Sequence, residues 1–114
     1  MRRTLITLAM VAAMAGTAMA DKTQTYCASE WPGDFRMQKH CVDRQREGAA
    51  KAGAFADKYG IREIETGADI SNNPHAQIWS KCVSDWRLPR FDTWDWRMVA
   101  HCLGRQIEAY DSLR

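Results

Sequence analysis

No stretch of the chain is long and apolar enough to cross a membrane, and neither sign of charge dominates it. The longest apolar run, within residues 5–14, falls short of the roughly 20 residues that a bilayer span requires. The 114 residues include 16 lysines and arginines against 14 aspartates and glutamates. Such a balance lacks the electrostatic footprint of a nucleic-acid-binding protein, and no polybasic segment for an anionic membrane is present. We therefore expect no nucleic acid partner and no membrane span in the processed chain.

The signatures of several enzyme and cofactor classes are also missing. The sequence has no Cys-x-x-Cys, Gly-x-Ser-x-Gly or His-Glu-x-x-His motif, and no glycine-rich loop to cradle phosphate. Histidine and cysteine do occur side by side, as His40-Cys41 and His101-Cys102. Adjacent helical residues point about 100° apart, which disfavours the histidine as a base for its neighbour. We expect a non-catalytic protein without a cofactor.

The first twenty residues have the three parts of a secretory signal peptide. Arg2 and Arg3 precede the apolar run, and Ala18-Met19-Ala20 forms a small-residue cleavage site. No cysteine follows directly, so a lipoprotein anchor is not indicated. Cleavage after Ala20 would remove two arginines and leave 94 residues with 14 basic and 14 acidic side chains. The sequence therefore predicts an exported protein, either periplasmic or secreted.

An internal repeat organises the rest of the chain. Residues 34–45 align with residues 95–106, and seven of the twelve positions are identical. Upstream, residues 27–31 align with residues 82–86, so that a cysteine and a tryptophan recur at the same spacing. The second copy carries six extra residues between its tryptophan and its aspartate. Self-similarity of this density indicates a duplicated unit.

Capping signals divide each unit into two helices. Pro32-Gly33 breaks the first unit, and Asp34 follows as the N-cap of a long helix that ends near Gly60. In the second unit Asn73-Pro74 starts a helix, and either Asp92 or Asp95 caps the last one. No strand pattern is discernible. We predict an all-α fold of two helix–turn–helix hairpins, residues 21–60 and 73–114, joined by a linker over residues 61–72.

Four cysteines in a short exported chain imply a disulfide framework, for which three pairings are possible. Cys27 and Cys41 lie at equal distances on either side of the first predicted turn, and Cys82 and Cys102 do so around the second. Equal arms bring both sulfur atoms to the same level of two antiparallel helices. We therefore predict one bond within each hairpin, Cys27–Cys41 and Cys82–Cys102.

The motif of the first unit, Cys-x-x-Glu-Trp-Pro-x-Asp-Phe-x-Met-x-x-His-Cys over residues 27–41, resembles one found in small, uncharacterised exported bacterial proteins. Those proteins often have an aromatic residue such as tyrosine in place of His40 and His101. The resemblance covers about half of the processed chain and implies no activity. The layout is also similar to that of the eukaryotic twin-cysteine coiled-coil-helix proteins, but these carry two bonds across one hairpin.

Two stripes of side chains run along the long helix of each unit. Methionine, cysteine and glutamine recur at i, i+4 and i+8, and a basic Arg-His-Arg stripe precedes them by one residue. Bonded cysteines must face the partner helix, which places the basic stripe on the flank. The candidate ligand-binding residues are Arg36, His40, Arg44, Arg97, His101 and Arg105.

The basic stripes have a structural and a functional interpretation. Glu30 and Asp85 occupy equivalent places in the shorter helices and could form ion pairs with the arginines. Alternatively, the stripes could present donors to a carboxylate or phosphate group. Met-x-x-His leaves a copper-type metal site as another alternative, although an oxidised cysteine supplies no thiolate. A small hydrolase or hydrolase inhibitor is the third possible function.

The five tryptophans are many for a chain of this size. Trp31 and Trp86 are equivalent in the repeat, and we expect them to cap the two hairpin cores. Trp94 and Trp96 lie around the six-residue insertion, where they either close a small core or form an exposed aromatic patch. Together these features predict an exported binding module for an unknown protein or an anionic small-molecule or envelope partner.

The processed protein is expected to begin at Asp21. The Ala18-Met19-Ala20 site supplies the small residues that signal peptidase requires. Intact-mass measurement of the exported material tests this start, and a mass that retains Met1 would contradict it.

Overall fold

A computed structural model describes residues 22–114, and the predicted signal peptide lies outside the described residues. The described part opens in a helix, α1, over residues 22–30. The longer helices that follow are α2 (Phe35–Lys58), α3 (Pro74–Asp85) and α4 (Trp96–Leu113), with a short 3-10 helix at Ile61–Glu63. The predicted all-α class is confirmed.

The helices begin and end where the capping signals predict. Asp34 accepts a hydrogen bond from the backbone N–H of Met37 at 3.1 Å, and Asn73 caps α3 in the same way. Of the two aspartates that could cap α4, Asp95 is the one that does so. Gly60 adopts the left-handed conformation, with φ of 66°, just after α2. Neither glycine inside α2 interrupts the helix.

Both predicted disulfide bonds are present. Cys27 is bonded to Cys41, with Cα atoms 5.7 Å apart, and this bond joins α1 to α2. Cys82 is bonded to Cys102, with Cα atoms 5.6 Å apart, and this bond joins α3 to α4. Each pair of helices is therefore a hairpin with one covalent staple.

The chain forms two compact units that divide between Val42 and Asp43, inside α2. The predicted hairpins divide instead at residues 61–72. The difference arises because α2 carries small residues beyond its disulfide. Ala52, for example, is buried in the core that α3 and α4 provide, so the C-terminal part of α2 belongs to the second unit.

The core of the second unit is small. Its buried members are Ala52, Ile78, Cys82, Val99 and Leu103, of which Cys82 and Val99 have no exposed surface. Half-buried aromatic side chains, among them those of Phe55, Trp79, Trp94 and Trp96, pack against this cluster. A core with so few aliphatic side chains depends on its disulfide and on these aromatic rings.

A minimal strand pair contradicts the expectation that the chain has no strands. Arg87–Leu88 (β1) pairs antiparallel with Thr93–Trp94 (β2) around a 3-10 turn at Pro89–Phe91. Asp92 closes this turn with a φ of 51° and accepts a hydrogen bond from Arg87 at 2.7 Å. Two-residue strands give no alternating pattern to detect, and the pair occupies the six-residue insertion of the second repeat.

The start of α4 is held against α2 by a buried glutamine. Gln45 is only 5% exposed. Its Nε2 donates to the Asp95 carboxylate at 2.8 Å, and its Oε1 accepts the backbone N–H of Trp96 at 2.7 Å. The first N–H groups of a helix have no acceptor within the helix. Gln45 therefore supplies one to α4 while it orients the aspartate that caps that helix.

Gly48 permits the close approach that this contact needs. A Cβ atom at Gly48 would overlap the backbone carbonyl of Trp96 and would lie 2.6 Å from the backbone nitrogen of Arg97. Backbone atoms cannot move aside as the end of a side chain can, so only glycine fits at this position.

Gly48→Ala is expected to destabilise the protein by about 1–3 kcal/mol, as overpacking does elsewhere. Gly104→Ala is the matched control, because a Cβ there meets nothing within 4 Å. Replacing that exposed helical glycine should stabilise the protein by about 0.5–1 kcal/mol. Thermal unfolding followed by circular dichroism measures both changes, and equal shifts of the same sign would refute the proposed close contact.

Gln45→Glu is expected to destabilise the protein in a manner that depends on pH. The introduced carboxylate would face Asp95, and the repulsion would raise its folded-state pKa above the ordinary value of about 4.3. The loss in unfolding free energy should then be smallest below about pH 4 and grow as the pH rises through the folded-state pKa.

Gln106→Glu, at the equivalent position of the repeat, is the control for this experiment. Gln106 is half-buried and lies on α4. We expect its variant to change the unfolding free energy by no more than about 0.5 kcal/mol at either pH. Melting curves at acidic and neutral pH that are the same for the Gln45 variant and the control would contradict the bridge.

Candidate anion-binding stripes

The basic stripe of the second unit lies on the solvent face of α4. Val99 and Leu103 are buried in the core, whereas Arg97, His101 and Arg105 are exposed. Two residues along a helix correspond to a rotation of about 200°, so burial of Val99 and Leu103 turns the stripe away from the core. The spacing of i, i+4 and i+8 then keeps the three basic side chains on one face.

The equivalent stripe of the first repeat lies on α2. Arg36, His40 and Arg44 are all exposed. Arg36 and His40 belong to the first compact unit and Arg44 to the second. Arg44 forms an ion pair with Glu47, at 3.1 Å, between side chains that are both more than half exposed. The two residues are about one helical turn apart on the same helix, and an exposed ion pair of this kind is weak in water.

The predicted ion pairs across each hairpin are not formed. Asp85 pairs with Lys81 on its own helix, at 3.1 Å, instead of with an arginine of α4. Glu30 is exposed and, within residues 22–114, forms no ion pair with a stripe. The structural interpretation of the stripes as partners of Glu30 and Asp85 is therefore wrong.

The stripe on α4 carries unneutralised charge. Within the described residues, the side chains of Arg97, His101 and Arg105 form no ion pair and no hydrogen bond. Glu108 follows Arg105 after three residues, so the basic character ends there. The stripe offers two guanidinium groups with an imidazole between them, all with donors available to an anion.

The Met-x-x-His pattern receives less support as a metal site. Met37 and Met98 are half-buried, and the adjacent cysteines are bonded, so neither sulfur is a thiolate. Over residues 22–114 no three histidine, cysteine, aspartate or glutamate side chains come together in a way that could hold a metal ion.

The tryptophans that are exposed and those that pack against the core are not the ones expected from the sequence. Trp31 and Trp86 are 43% and 36% exposed, so the prediction that they cap the hairpin cores is wrong. Trp94 and Trp96 instead pack against the core of the second unit, with ring centroids 5.4 Å apart. The guanidinium of Arg87 lies 4.4 Å from the centroid of Trp94 and covers its outer face.

The second unit also contains a cluster of three aromatic rings that no local sequence pattern indicates. The ring of His75 stacks on that of Tyr59 at 4.0 Å and meets the edge of Tyr110 at 5.6 Å. These three residues come from α3, from the end of α2 and from α4, so no local spacing connects them. The stack closes the end of the second unit away from the strand pair.

No helix among residues 22–114 combines the length and the apolar character that a membrane crossing would need. Comparison of the chain with protein-family models, with curated proteins and with solved structures gives no match.

Proposed function

We propose that the protein is an exported, non-catalytic binding module that holds an anionic partner on its Arg-His-Arg stripes. The observation that supports this most strongly is the stripe on α4, where Arg97, His101 and Arg105 are exposed on one face and unneutralised. Arg36, His40 and Arg44 form the second copy of the same pattern.

The geometry of the stripe favours an extended partner. Eight residues of α-helix rise about 12 Å, so Arg97 and Arg105 lie too far apart to share one phosphate or carboxylate group. An extended chain with several acidic groups could reach both arginines, since about 12 Å corresponds to three or four residues of extended peptide. We infer that the partner is an acidic protein segment or another polyanion of the cell envelope.

The scaffold supports binding by holding the stripe in place. The disulfide to Cys82 fixes α4 near its middle, and Gln45 fixes its start. A helix that is rigid before binding loses less conformational entropy when a partner arrives. Individual contacts between exposed charges contribute less than about 1 kcal/mol each, so binding should be weak and sensitive to salt.

Export agrees with the covalent structure of the chain. Both disulfide bonds would persist in an oxidising compartment such as the periplasm or the medium. The residues before Asp21 would act as the signal peptide and would not take part in binding. In this proposal the repeat arose by duplication of one stapled hairpin, which doubled the number of basic stripes.

Replacing Arg97 and Arg105 together with alanine is expected to weaken binding of inorganic polyphosphate and of a fluorescent octaglutamate peptide by about tenfold or more, which is the effect of losing about 1.4 kcal/mol. Fluorescence anisotropy at low salt measures binding of the peptide, and competition measures binding of the polyphosphate. The unfolding free energy should change by no more than about 0.5 kcal/mol per site, because both side chains are exposed.

The matched control is Arg46→Ala with Lys51→Ala, which removes the same charge from exposed positions of α2 outside the stripe. This control should retain most of the affinity. An equal loss of affinity in the control and in the variant of Arg97 and Arg105 would mean that the anion responds only to the overall charge of the protein. That result would contradict the proposal.

A further inference from the structure

The two disulfide bonds differ in how much packing surrounds them. The bond between Cys82 and Cys102 lies in the core of the second unit, within a cluster of buried aliphatic side chains. In the described part of the first unit, residues 22–42, Cys27 is the only buried residue. The bond between Cys27 and Cys41 therefore joins two helices that share little buried apolar surface.

The helix α1 is too short to be stable without its attachment to α2. It has nine residues, and helices shorter than about 12–15 residues are marginal in water unless they pack against another element. The large side chains of Trp31 and Phe35 at the turn are exposed and do not add to the packing. Gln38 donates to the carbonyl of Trp31 at 2.8 Å, but Trp31 follows α1, so this contact holds the turn. The disulfide bond therefore provides a large share of what keeps α1 on α2.

Packing around a disulfide bond also determines how readily it is reduced. A fold that holds two thiols close together gives them a high effective concentration and favours the bond between them. In the second unit the core holds α3 against α4, so reduction must also disrupt buried contacts. In the first unit, reduction leaves α1 free to move away, and the two thiols are then no longer held together. The first bond should therefore be reduced under milder conditions than the second.

The two sulfur atoms of the first bond differ in their access to solvent. Cys27 has no exposed surface, whereas Cys41 is half-buried. Thiol–disulfide exchange begins when a thiolate attacks a sulfur atom that it can reach. The exposed side chains of His40 and Arg44 lie on the same helix close to Cys41, and positive charge on them attracts a thiolate. Cys41 is therefore the sulfur that a reductant attacks first.

We propose that the bond between Cys27 and Cys41 is a redox-sensitive latch, which a dithiol opens while the second unit stays folded. A thiolate of the dithiol forms a mixed disulfide with Cys41. The bond to Cys27 breaks, and its electron pair leaves with the Cys27 sulfur, which takes up a proton from water. The second thiol of the reductant then loses its proton, attacks the mixed disulfide and releases Cys41. The chain gains two thiols, and the dithiol becomes a disulfide.

Opening of the latch changes the first unit alone. When α1 leaves α2, the face of α2 that carries Met37 and Cys41 becomes accessible, next to the first basic stripe. The second unit keeps its own disulfide bond and the hydrogen bond from the start of α4 to Gln45. An oxidising compartment keeps the latch closed, and a protein dithiol within that compartment opens it. The latch does not depend on anion binding by the stripes.

Titration of the exported protein with mixtures of reduced and oxidised dithiothreitol tests the order of reduction. Free thiols are trapped with N-ethylmaleimide at each mixture and mapped by mass spectrometry. We expect a species in which Cys27 and Cys41 are modified while Cys82 and Cys102 remain bonded. The equilibrium constants for reduction of the two bonds should differ by about tenfold or more, which corresponds to about 30 mV for a two-electron couple.

Hydrogen–deuterium exchange of the species with two thiols tests whether α1 is released. The amides of residues 22–30 should exchange faster than in the oxidised protein by about tenfold or more, whereas those of α3 and α4 should keep their protection. The Cys27→Ala, Cys41→Ala double variant should show the same pattern without any reductant. The matched control is the Cys82→Ala, Cys102→Ala double variant, in which α3 and α4 should lose protection instead.

Three outcomes would overturn the proposal. The first is reduction of the bond between Cys82 and Cys102 before the other, or reduction of both bonds in one step. The second is a species with two thiols in which α1 stays as protected as in the oxidised protein, because the bond would then be a structural staple only. The third is loss of protection in α3 and α4 when only the first bond is open.

Discussion

The disulfide bond between Cys82 and Cys102 is the constraint on which the second unit depends. Cys82 is fully buried, and the bond lies inside a core whose other buried side chains are one leucine, one isoleucine, one valine and alanine. So small an apolar cluster offers little hydrophobic stabilisation against the conformational entropy of the chain. The bond closes a segment of 20 residues and removes entropy from the unfolded state, which is worth about 3 kcal/mol. It also fixes which face of α4 turns inward, and therefore which face presents the basic stripe.

Local signals in the sequence predicted most of the fold. Caps at Asp34, at Asn73 and at either Asp92 or Asp95, together with the symmetric cysteine spacing, were sufficient for the helices and both disulfide bonds. These features act over a few residues or through a repeat, so they can be read directly. The hydrogen bond from Gln45 to Asp95 joins residues that are 50 positions apart, and nothing in the sequence near Gln45 indicates its partner. The repeat also concealed this bridge. It gave Gln45 and Gln106 equivalent positions on their helices, although only Gln45 is buried.

The candidate site could also be predicted from the sequence only in part. The positions of the basic stripes followed from helical periodicity, and their exposure agrees with that expectation. Whether they were neutralised depended on long side chains whose partners the sequence could not assign. Asp85 was expected to reach across the hairpin, but a lysine one turn earlier on the same helix is nearer and pairs with it. The exposed Trp31 and Trp86 were misassigned because aromatic residues are usually counted as core in so small a domain.

In the second unit, a disulfide bond takes the place of a larger apolar core. Thermal unfolding of the Cys82→Ala, Cys102→Ala double variant tests it most directly, since alanine removes the bond without placing a polar group in the core. We expect a melting temperature lower by more than about 10 °C, or a loss of cooperative unfolding. A variant that melts cooperatively within about 2 °C of the wild-type protein would show that the second unit does not depend on this bond.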